Sequence, residues 1–117
     1  KKMKFKKNKF PRTFVCGIKK KVTITDMGKV YLAPNEQLTF VTENKKKYDL
    51  CRKDWGFYAT PSINSRLKKE GFKTALTKNP INRIFVMIIE KENMLKFKKY
   101  CKDHKLKILF WLDKYIK

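Results

Sequence analysis

The sequence predicts an α+β fold, a mainly antiparallel sheet with two helices, and three observations support it. Residues 13–52 carry short β-prone runs separated by turn residues at close intervals. Residues 60–70 and 92–104 place apolar side chains three and four apart, the spacing of a helix face. A chain of 117 residues that is 42% hydrophobic and 14% aromatic can bury a core in spite of its charge.

The elements follow in order. Residues 1–12 hold seven cations and form a basic N-terminal arm, with Pro11 opposing regular pairing and Phe5 and Phe10 interrupting the charge. The rest, residues 13–117, reads as one domain. Its first part is a β-meander. Strands are expected over 13–16, 21–25, 29–33, 37–43 and 46–52, with turns at Gly17, at 26–28, at 34–36 and at 44–45. Gly28 marks a position that requires positive φ. Residues 54–59 form a strand end or bulged loop around Gly56. A helix is then expected to start at Thr60 as N-cap with Pro61 at N1, and to stop at Gly71. A strand over 72–77 and a turn at 78–80 follow. The run at 83–90 is apolar on both faces, as in a central strand covered on both sides. The second helix, 92–104, turns Met94, Phe97 and Cys101 inward and Lys98, Lys99 and Lys102 outward. For 107–112 periodicity leaves strand and helix open. From residue 46 onward the order is strand, helix, strand, strand, helix, strand. That is the split βαβ order of a ferredoxin-like half, with 46–52 and 83–90 at its centre.

Charge is the strongest functional signal. The chain carries 31 basic and 10 acidic residues, a net +21, and all but four of the cations are lysine. AT-rich codon usage raises lysine, but it raises glutamate with it, and only five glutamates are present. The excess therefore points to a polyanionic partner. No apolar run is long enough to span a membrane. Cys16, Cys51 and Cys101 are odd in number and widely spaced, which fits neither a disulfide framework nor a zinc site and suits a reducing cytoplasm. There is no P-loop, no dinucleotide-binding glycine motif and no C2H2 spacing. The strand at 82–89 lacks the glycine of an RNA-recognition motif. One histidine, His104, offers little for catalysis, and no metal or cofactor is expected.

Residues 48–67 stand apart from this lysine-rich background. They hold both serines, two of the four arginines and Trp55. An anion or nucleic-acid site is expected there. Thr60, Ser62 and Ser65 would sit at the helix start, Arg52, Arg66 and Lys69 would supply charge, and Trp55 and Tyr58 would stack on a base. The expected function is non-catalytic binding of RNA or DNA. Two other classes fit the same residues. One is a small-ligand protein or enzyme for a phosphorylated or sugar-nucleotide substrate. The other is a structural subunit of a ribonucleoprotein or viral assembly.

Overall fold

The computed structural model describes residues 3–18 and 20–115. Strands β1 (Lys4–Cys16) and β2 (Val22–Tyr31) form a two-stranded antiparallel ribbon. Strands β3 (Gln37–Val41), β4 (Lys47–Lys53) and β5 (Gly56–Ala59) form a second sheet with β4 central. A short helix α1 (Arg66–Lys69) leads into β6 (Phe72–Lys78) and β7 (Ile84–Glu90). A 3₁₀ turn, Lys91–Asn93, feeds helix α2 (Met94–His104). The chain then returns as β8 (Lys107–Trp111) and ends in helix α3 (Leu112–Tyr115). The third sheet has the order β7-β6-β8, all antiparallel. The fold is thus α+β with antiparallel sheets, as the residue pattern predicts.

The ferredoxin-like order does not form. Residues 47–53 pair with their sequence neighbours β3 and β5, not with 84–90. The connections explain this. Only Asp54 and Trp55 separate the Lys53–Gly56 pair, and a turn over 42–46, with Lys45 at φ +63°, joins β3 to β4. Such tight links fix antiparallel neighbours. Nor is β7 central. The middle place goes to β6, whose Ala75 and Thr77 are fully buried, while Ile84 and Val86 of β7 remain exposed. The ambiguity at 107–112 resolves into both states in succession, strand and then helical turn.

The core lies on the two faces of β6. On one face Ala75, Thr77 and Ile89 are buried with Cys101 of α2, and Phe97 meets Trp111 edge-on with centroids 6.1 Å apart. On the other, Phe72 meets Tyr48 of β4 edge-on at 6.3 Å, and α1 lies against β6 with Leu67 only 1% exposed. Two contacts clamp the β3–β4 turn to the end of β7. Thr42 Oγ1 donates to Glu90 Oε1 at 2.6 Å, and Asn44 Nδ2 donates to Glu90 Oε2 at 3.4 Å. Helix α2 closes on Lys105 in the left-handed region, with Leu106 N donating to Cys101 O at 2.8 Å. That bond serves a carbonyl the helix leaves open.

Of residues 1–12, expected as an arm, residues 4–12 lie in β1 and residues 1–2 fall outside the described residues, and the turn expected at 26–28 is absent because β2 runs through it. Both differences have one cause. Lys7 pairs with Gly28 and Arg12 with Asp26, so residues 8–11 oppose Met27 alone. This bulge takes up Pro11 without breaking the ladder on either side. Gly28 has the positive φ its sequence context suggests, +147°, but it serves the bulge. A Cβ there would stand 2.3 Å from Lys6 O, so no other residue fits without moving β1. The ribbon packs little against the other elements. The radius of gyration is 15.9 Å, against roughly 13 Å for a compact domain of this length.

Candidate nucleic-acid interface

The two-residue turn between β4 and β5 thrusts Trp55 into solvent, 68% exposed. Its indole stacks on Tyr58, centroids 6.2 Å apart and planes inclined by 30°. Tyr58 lies opposite Cys51 and Phe57 opposite Arg52, so the hairpin shows an exposed ring on each face. The backbone of Arg52 is pinned: its N–H donates to Glu36 O at 2.9 Å and its carbonyl accepts from Asn35 N at 2.6 Å. Lys53 Nζ donates to Asn35 Oδ1 at 2.6 Å. Trp55 and Tyr58 therefore form a preformed aromatic platform on one face of the hairpin, while Arg52, paired with Phe57, belongs to the other face.

The second half of the expected site is turned inward. The helix begins at Arg66, not Thr60, and its N-cap, Ser65, makes no side-chain cap bond. Pro61 is fully buried, which holds residues 60–65 as a turn against the body. Thr60 Oγ1 donates to Gln37 Oε1 at 2.7 Å, and Ser62 Oγ accepts from Arg66 N at 3.2 Å. Arg66 Nη1 donates to Asp49 Oδ2 at 3.0 Å. The buried Asp49 also accepts from Thr39 Oγ1 at 2.6 Å. With four helical residues there is no helix-terminal anion site, and Arg66 already has its anion. Its role is to fasten α1 to β4.

The bonds from Thr39 and Arg66 hold the Asp49 carboxyl below the usual carboxylate range, the Thr39 hydroxyl being the larger cause. A folded-state value below the unfolded one means stabilisation that is complete above the unfolded value of about 3.9 and lost as pH falls through the folded value. Thermal unfolding followed at pH 6 and at pH 3 should show a smaller acid-induced fall in melting temperature for Asp49→Asn than for the native chain. Equal falls would mean that Asp49 takes no part in the acid response.

Lys69 lies elsewhere, in an open cleft of about 350 Å³ with Asn44, Lys45, Lys46, Lys47 and Glu70. Lys46 is held there, donating to Glu70 O at 3.1 Å and pairing with Glu92 at 3.6 Å. A second cleft, about 300 Å³, gathers Lys73, Lys91, Lys98 and Lys114 around Met94 and Trp111. Lys73 sits 5.1 Å over the Trp111 ring and 3.4 Å from the buried Asp113. The ribbon adds Lys4, Lys6, Lys7, Lys9, Arg12 and Lys29. These groupings join residues far apart in sequence. The runs at 1–12 and Lys45–Lys47 are visible in the sequence, but the partners that complete each grouping are not.

Among the described residues, carboxylates within 4 Å engage only Arg12, Lys20, Lys46, Arg66, Lys73 and Lys99. Lys20 and Lys99 share one anion, Asp103, whose carboxyl is held low by hydrogen bonds from Lys99 and Lys20. The positive surface is thus largely uncompensated from within. The chain matches no protein-family model, no curated protein and no solved structure.

Proposed function

We propose that this chain binds nucleic acid, RNA or DNA, and carries out no chemistry on it. The observation that carries the reading is the mismatch between cations and anions. Carboxylates are few and most are engaged, and many free lysines gather in clefts and along a ribbon that also exposes aromatic rings. Lysines that release counterions supply affinity without sequence preference. A stacked Trp55–Tyr58 pair adds a surface for bases. The three free thiols suit a reducing compartment. No helix among the described residues is long and apolar enough to cross a membrane.

The test is fluorescence anisotropy of labelled single-stranded and duplex oligonucleotides at low salt, with Trp55 emission read in parallel. Binding with quenching of Trp55, and weaker binding to single strands by Trp55→Ala, is the expected result. No binding to either form at low salt would overturn the proposal.

A further inference from the structure

The ribbon bulge holds a side chain whose position the packing of the protein does not explain. Phe10 is 83% exposed, matched among the exposed apolar side chains only by Leu95. Its backbone is nevertheless firmly built. Asn8 Nδ2 donates to Asp26 O at 2.7 Å, Arg12 Nη2 pairs with Asp26 Oδ2 at 3.4 Å, and Gly28 N donates to Asp26 Oδ1 at 3.2 Å. Pro11 fixes φ one residue on. A loop tied to β2 at Asn8 and Arg12 holds the backbone that presents the phenyl ring.

The surroundings define the partner. Lys9 Nζ lies 5.9 Å from the Phe10 centroid, and Lys9, Arg12 and Lys29 line the open concavity beside it. Asp26, the one acid of that concavity, is already engaged. A ligand must therefore offer a flat π face and negative charge on either side of it. We propose that the bulge is a base-stacking site for single-stranded nucleic acid. Phe10 packs on one unpaired base, and Lys9, Arg12 and Lys29 take the flanking phosphates. An unpaired base is favoured because a base within a duplex must first be unstacked, which costs a few kcal/mol. An anionic membrane offers charge as well, but no π face to stack on the ring.

The inference rests on the nucleic-acid reading, and the experiment separates the two. Native chain, Phe10→Ala and Phe10→Tyr are titrated against oligothymidine and against an abasic strand of equal length. Phe10 is exposed, so both variants fold. The native chain should prefer the base-bearing strand. Phe10→Ala should lose about tenfold on that strand and nothing on the abasic one, and Phe10→Tyr should restore the loss. Failure of the native chain to bind either strand sinks the wider reading and this one with it. Native binding with Phe10→Ala unchanged on oligothymidine, or weakened equally on both strands, overturns the stacking site alone. So does a Phe10→Ala defect seen only on phosphatidylserine vesicles.

Discussion

Raising the salt from 50 to 200 mM should weaken nucleic-acid binding about a thousandfold if roughly six phosphates are contacted, a slope of about −5 in log affinity against log salt. Three groups of free cations gather locally: the ribbon, the cleft around Lys45, Lys47 and Lys69, and the cleft around Lys91, Lys98 and Lys114. Each group is wide enough for a few phosphates, so the slope reports how many groups act together. Replacing Lys45, Lys47 and Lys69 together by Gln should make the slope shallower by about 3 if all three contact phosphate, since each contact adds roughly one unit. The slope is read from anisotropy titrations at four or more salt concentrations. A slope near zero would exclude a phosphate-tracking surface. An unchanged slope in the triple variant would exclude that cleft.

Leu67→Ala should be among the most destabilising single changes, about 2–5 kcal/mol. Leu67 is the largest fully buried side chain and the one buried residue of a four-residue helix. So short a helix has no stability of its own, because nucleation alone is unfavourable. What holds it is Leu67 below and the Arg66–Asp49 pair beside it. Truncating Leu67 removes apolar burial and leaves a cavity between α1 and the β6 sheet. The melting temperature, followed by circular dichroism, should fall by on the order of 10 °C. A fall of only a degree or two would mean that the site collapses around the smaller side chain. Arg66→Ala should cost less, since its guanidinium is about half exposed and solvent screens the pair.

Local patterns in the sequence were legible and tertiary choices were not. The second helix could be read from Met94, Phe97 and Cys101, because one helix face needs only nearby residues. The strand at Gln37–Val41 was legible from its β-prone side chains. The helix expected from Thr60 shrank to Arg66–Lys69 because Pro61 and Thr60 were taken into packing and bonding with the rest of the chain. Capping chemistry describes what a segment can do when nothing competes for its hydroxyls. Arg66 shows the same limit for a site. Its type and position suit an anion, but Asp49, seventeen residues earlier, is that anion. Trp55 and Tyr58 were recognisable by type, but the two-residue turn that stacks them was not, since residues 54–59 read as a strand end or bulged loop. Phe10 was visible only as an aromatic among lysines. The bulge that displays it depends on a register that no window of residues encodes.

The ribbon is the part of this chain least able to hold its own shape. A two-stranded sheet standing in water is marginal, with both of its outer edges unpaired. At its closed end, Lys20 reaches Asp103 at 3.2 Å and Gly17 approaches His104, and these contacts tie it to α2. At its other end Tyr31 leads through Ala33 and Glu36 into β3, so between these two ties, around the bulge, the ribbon has its own ladder to set against the repulsion of its lysines. Its amides should exchange with solvent orders of magnitude faster than those of β6, as expected of a region near the low end of local opening energies. A polyanion laid along it would quiet that motion, so part of the binding free energy would go into ordering. Protection from exchange would then rise most around the bulge, between the two ends tied to the body, a signature that rigid docking of two preformed surfaces would lack.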